Sequence, residues 1–202
     1  MNDLKMDGTG NISGGEYGKV EIGGITKCIG NLKAECVKID GIFSCDGDLE
    51  TDLLDCDGKA EFWGNIRAKK IDLDGLMHVK KGSKIEAEEI YADGLIKVNG
   101  EISADKIELT GGISAKEVFG DSIKIHYKEG AFSRWFTKKI FGIDLMEATD
   151  IDLIGITVTE VNGKNIRIGK RCKIKRIDCS GTLHIDEKAT VEEIHGDYTI
   201  VE

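Results

Sequence analysis

Asp7, Asp40, Asp57, Asp74 and Asp93 each stand directly before a glycine, and from Asp40 onward they recur after 17, 17 and 19 residues. A column of carboxylates at that spacing offers oxygen ligands to a hard cation such as calcium. Asp-Gly is equally ordinary turn chemistry, and the glycine-rich nonapeptide of calcium-binding β-rolls is not in the sequence, so no metal ligand is assigned. The histidines, His78, His126, His184 and His195, are scattered with no second histidine at metal spacing. His184, in LHIDEK, has carboxylates nearby that suit a general base, but the pattern reads more simply as a strand histidine. Cys28, Cys36, Cys45, Cys56, Cys172 and Cys179 include no C-x-x-C pair, which points to free thiols packed as small hydrophobes. Cys28 and Cys45 lie one period apart, so stacking would bring their sulfurs together. Nucleophile motifs, phosphate-binding loops and paired catalytic carboxylates are not found. The sequence therefore nominates no catalytic residue, no cofactor and no small-molecule substrate, and the expectation is a protein that is not an enzyme.

The aspartates belong to a larger pattern. A short theme, apolar-x-apolar-Asp/Thr-Gly, reads VKIDG at Val37, LDCDG at Leu54, IDLDG at Ile71, IYADG at Ile90 and IELTG at Ile107. A fixed period of this size implies stacked units that each touch only their neighbours. Two residues before the theme glycine come Met6, Ile22, Ile39, Cys56, Leu73, Ala92 and Leu109, all apolar. Two after it come Phe43, Ala60, Met77, Ile96 and Ile113, and four after come Cys28, Cys45, Phe62, Val79, Val98 and Ala115. Beyond a second glycine, Leu32, Leu49, Ile66, Ile85 and Ile102 are each followed two positions later by Ala34, Thr51, Ala68, Ala87 and Ala104. Each period thus holds three short segments with period-2 alternation, the mark of half-buried strands. A helical reading fails, because two glycines per period would cost roughly 1 kcal/mol each inside helices. The expected fold is an all-β, parallel β-helix of about ten coils, with three short strands per coil stacked about 4.8 Å apart. Ile25, Ile42, Leu76 and Leu95, one residue after the theme glycine, should then point outward.

The pattern breaks near Tyr127, giving a main block at 1–126, an excursion at 127–150 and C-terminal coils at 151–202. The excursion combines Phe132, Trp135, Phe136, Ile140 and Phe141 with Arg134, Lys138 and Lys139. Phe132, Trp135, Phe136 and Ile140 fall at amphipathic-helix spacing, so a short helix is expected, packing on the solenoid or binding a membrane surface or protein partner. The theme then resumes less regularly at IDLIG, IRIG and IDCSG.

Across 202 residues the formal net charge is −9 and the pI about 5.1, which argues against nucleic acid as a partner because phosphate contacts need a basic surface. No proline occurs against 26 glycines, so turns fall to Gly, Asn and Asp. The N-terminus has no apolar leader segment, and free thiols suit a reducing compartment; a cytoplasmic protein, with membrane association through the excursion, is expected.

Copies such as IDLDGLMHVKKGSKIEAEE and IYADGLIKVNGEISADK resemble the bactofilins, polymer-forming bacterial cytoskeletal proteins. The opening LKMDGTGNISGG and the interrupted C-terminal part are similar to those of cytosolic bactofilin-like proteins of Gram-positive bacteria. The resemblance implies a right-handed β-helix that assembles end to end without nucleotide and acts as a scaffold. Polymerisation would use the two ends of the stack, Met6 and Ile12 at one, and Ile185, Val191, Ile194 and Ile200 at the other. Two departures stand out: this chain lacks the Pro-rich tails common in the family, and its core is interrupted. The alternatives are a monomeric adaptor acting through the excursion and a hexapeptide-repeat-like acyltransferase, whose eighteen-residue period does not fit.

Overall fold

The computed structural model describes residues 1–80, 82–127 and 142–201. Among these residues there is no helix, and the strands join one continuous parallel sheet. The sheet winds into a β-solenoid of about eleven turns. Each turn has three flat faces. Using the third coil as the example, face A carries the strand Ile42–Cys45, and the strand Leu49–Cys56 bends at Asp52 to supply faces B and C. The bend shows in the burial pattern: Thr51 and Leu54 both point inward, with two outward residues between them.

The apolar columns line the interior as continuous ladders. On face C, Leu4, Val20, Val37, Leu54, Ile71, Ile90 and Ile107 stack in register and continue through Ile123, Ile151, Ile166, Leu183 and Ile200. On face A, Ile12, Cys28, Cys45, Phe62 and Val79 do the same. Phe43 and Phe62 meet edge to face, with ring centroids 6.0 Å apart, the arrangement favoured by the aromatic quadrupole. The core is therefore a single, mostly apolar column running the length of the stack, each rung about 4.8 Å from the next.

The theme glycine is required by close approach between coils. A Cβ on Gly24, Gly41, Gly58, Gly75, Gly94 or Gly111 would run into the carbonyl oxygen of the glycine one coil earlier. That oxygen is in use: Gly24, Gly41 and Gly58 carbonyls accept the N–H of Ile42, Lys59 and Leu76 at 2.8, 2.9 and 2.9 Å. Only a residue without Cβ lets the chain turn the corner while keeping the interstrand bonds. At the corner between faces A and B a side-chain ladder takes over. Asn31 Oδ1 accepts from the Asp48 N–H, Asp48 Oδ1 from Asn65, and Asn65 Oδ1 from Lys84, at 3.0, 2.7 and 3.1 Å.

The C-terminal coils continue the first stack. The strand Ile143–Ile154 pairs directly on Gly112–His126, with Ala115 opposite Ile143 and Ile125 opposite Leu153. The stack therefore resumes at Ile143, so residues 143–150, assigned from sequence to the excursion, are a coil wall: Met146 and Ala148 are buried there. The sequence signal was weak because the coils shorten, with Ile143 opposite Val158 and Met146 opposite Val161, and because no copy of the theme precedes Ile143. IDCSG also lands elsewhere than its theme suggests. Ile177 and Cys179 sit on face B, and Leu183 carries the face C ladder in that coil. The expected helix over residues 132–140 lies outside the described residues, as do Phe132, Arg134, Trp135, Phe136, Lys138, Lys139, Ile140 and Phe141.

Candidate functional site

The chemistry-bearing residues are dispersed by the fold. Asp40 and Asp57 point outward and share Lys38, whose Nζ lies 3.0 Å from Asp55 and 3.5 and 3.6 Å from Asp40 and Asp57. The hydrogen bond to Asp55 and the surrounding carboxylates raise the Lys38 pKa and keep it charged. Asp40 and Asp57 are thus part of an ion-pair cluster, and among the described residues no three Asp, Glu, His or Cys side chains converge as a metal site. His184 has Arg167 as its strand neighbour, and its Nδ1 lies 3.2 Å from the Val201 carbonyl oxygen. His126 Nε2 faces Asp152 at 3.0 Å. Burial first, then Lys80 and Lys97, push the His78 pKa down, and His78 Nδ1 lies 3.1 Å from Lys80 Nζ. The four imidazoles sit on different coils.

The cysteines are all free thiols; five are buried and Cys36 is half-buried. Cys28 and Cys45 are register partners, as their spacing predicted. The Cys28 thiol is held protonated by its hydrogen bond to the Cys45 sulfur and by burial. Burial pushes Cys56 up to about 12. The five buried thiols pack the core, the environment that makes a cysteine inert.

What remains exposed and apolar falls in two places. Among the described residues the exposed large hydrophobics are Met1, Ile194, Ile200 and Val201 at the ends of the stack, Ile25, Ile42 and Leu76 on face A, and Ile29 and Trp63 at its corner toward face B.

The two ends differ. At the N-terminal end Ile12 is buried, while Leu4 and Met6 are half-buried. The first residues are tied down, because Asp3 Oδ1 accepts the Lys19 N–H at 2.8 Å and the Asn2 carbonyl accepts the Gly18 N–H at 3.1 Å. At the C-terminal end the strands Thr190–His195 and Thr199–Ile200 form the last rung. There Ile185 and Val191 are half-buried, Ile194 is 36% exposed and Ile200 is 63% exposed, with Val201 beside it. Of the residues expected at the ends, Ile194 and Ile200 are the ones open to solvent. Val201 beside Ile200 is exposed as well.

On face A the outward expectation for Ile25, Ile42 and Leu76 holds, and Leu95 is half-exposed. Ile29 and Trp63, five residues after the theme glycines Gly24 and Gly58, stand two coils apart in a corner column that also holds Asp46 and Lys80, which the sequence reading did not follow. Lys80 Nζ sits 5.2 Å over the Trp63 ring, a cation–π contact. No family model, curated protein or solved structure matches this chain.

Proposed function

We propose that this protein is a structural scaffold, a bactofilin-like β-solenoid of the bacterial cytoplasm that adds copies of itself end to end without nucleotide and without catalysis. The observation that carries the reading is the open C-terminal rung. Ile194 and Ile200 extend the core ladders into solvent, and among the described residues no strand pairs with the outer edge of Thr190–His195 or Thr199–Ile200. An unpaired strand edge above an exposed apolar core is a template for another coil. A right-handed coil belongs to the same proposal, through the resemblance of the repeat.

Negative-stain electron microscopy and analytical ultracentrifugation of the full chain test the proposal. Filaments or a concentration-dependent series of oligomers are expected, and Ile194→Glu with Ile200→Glu should return the protein to monomers at an unchanged circular dichroism spectrum. A wild-type chain that stays monomeric across concentration and salt overturns it.

A further inference from the structure

We infer that Met6 and Tyr17 form a cap on the N-terminal end of the solenoid, an autoinhibitory contact that has to open before another copy adds there. The inference rests on the end-to-end reading and supplies its regulation. It starts from two inward places at which the first coil departs from those above it. On face A the column that reads Thr26, Phe43, Ala60 and Met77 begins with Gly10. Met6 takes the room this leaves: its Cε lies 3.0 Å from where a Gly10 Cβ would stand. Met6 belongs to the face C strand Leu4–Met6, so its side chain reaches across the bottom of the core. At the corner between faces B and C the exchange runs the other way. Tyr17 stands where the coils above carry Ala34, Thr51, Ala68 and Ala87. Its ring folds back to within 3.6 Å of the Gly15 Cβ position, and its hydroxyl donates to the Ser13 carbonyl at 2.9 Å.

The two side chains close the end. Ile12 is only 5% exposed, although among the described residues no strand lies beneath residues 9–13. Ile200, on the last rung, is 63% exposed. A stacking copy needs both the free strand edge and the apolar interior above it. At the N-terminal end the edge is free, but Met6 and Tyr17 lie over the interior. Little holds them there. Methionine is unbranched and adapts its shape readily, and the Tyr17 hydroxyl bond is at the surface, where water can replace it. The cap can therefore swing aside while the coil above it stays wound.

The test is sedimentation velocity of the full chain over a concentration series, wild type beside Met6→Ala with Tyr17→Ala. Alanine and threonine fill the Tyr17 place in the coils above, so the circular dichroism spectrum should be unchanged. Tyr17→Phe, which loses only the bond to Ser13, is the milder variant. The double variant should assemble at a concentration at least about ten-fold below that of the wild type, with Tyr17→Phe between the two. Adding Ile194→Glu and Ile200→Glu to the double variant should return it to monomers; oligomers that persist do not come from stacking on the C-terminal rung and overturn the inference. Assembly of wild type and double variant at the same concentration overturns the cap and leaves the end-to-end reading standing. If neither assembles at any concentration, the end-to-end reading fails and the autoinhibition fails with it.

Discussion

Substituting alanine at three glycines separates three physical reasons for a glycine in this repeat. Gly58 lies within the stack. A Cβ there would collide with the Gly41 carbonyl oxygen and also stand 2.8 Å from the Asp40 oxygen. Relief requires the coils to part locally, against the bonds from the Gly58 N–H to Ile39 at 3.0 Å and from the Lys59 N–H to Gly41 at 2.9 Å. Two weakened interstrand bonds at about 1 kcal/mol each, with overpacking of about 1–3 kcal/mol, give a loss of about 3 kcal/mol or more. Gly8 holds the same place in the theme but has no coil beneath it, and nothing lies within 4 Å of its Cβ position. Gly8→Ala should therefore be neutral, or stabilising by a few tenths of a kcal/mol through the unfolded chain. Gly82 also has open space but adopts φ 88°, so Gly82→Ala should cost about 1–2 kcal/mol from backbone strain alone. Urea titration of the three variants by circular dichroism, with hydrogen exchange at the altered coil because a solenoid need not unfold in one step, reads the order Gly58 above Gly82 above Gly8. Gly58→Ala as stable as Gly8→Ala would refute the steric account of the repeat.

Other positions test the remaining layers. Phe62→Ala empties the edge-to-face contact with Phe43 and should cost about 3–5 kcal/mol in the same titration. Asn65→Ala removes the acceptor for the Lys84 N–H and should cost about 1 kcal/mol, whereas Asn65→Asp keeps an oxygen there and should cost less. Cys56 gives a pH signature. Its thiol is raised from 9.0 to about 12 by burial, so above pH 9 the unfolded chain releases a proton that the folded chain retains. Stability from this group is full below pH 9 and falls as pH rises toward 12, by at most about 1.4 kcal/mol per pH unit; Cys56→Ala should flatten that alkaline slope in melting curves, and an unchanged slope would count against it. Ellman titration should find no more than one fast thiol, Cys36, in the native protein and six after denaturation.

The fold was legible because inward positions repeat with the coil. Met6, Ile22, Ile39, Cys56, Leu73, Ala92 and Leu109 are alike in one respect only, that they are apolar or small, and stacking asks nothing more of them. Legibility failed where the coil changed length. Ile143, Met146 and Ala148 complete a coil in which no theme glycine marks the corner, and a glycine is needed there only where two corners lie close enough for Cβ to meet a carbonyl. IDCSG matched the theme by composition but took another face, since strands on all three faces share the same alternation and a short motif carries no face label. The candidate surfaces were half legible. The ends follow from where the ladders stop, and the outward column at Ile25 from alternation, but Ile29 and Trp63 lie at a corner, where alternation lapses and exposure depends on the turn.

The two outward columns of face A isolate what packing among the described residues leaves unexplained. One residue after the theme glycine stand Ile25, Ile42, Lys59, Leu76 and Leu95; two residues further along the same strands stand Lys27, Ser44, Glu61, His78 and Lys97. Both columns have the same strand geometry, so strand propensity would favour β-branched and aromatic side chains equally in each. Burial would place the apolar column where less solvent reaches, yet Ser44, Glu61 and His78 are half-buried while Ile25, Ile42 and Leu76 are exposed. Solubility would favour the reverse assignment. In two of the five coils, at Ile42 with Ser44 and at Leu76 with His78, the apolar residue holds the more exposed of two equivalent positions, and packing among the described residues does not account for that choice.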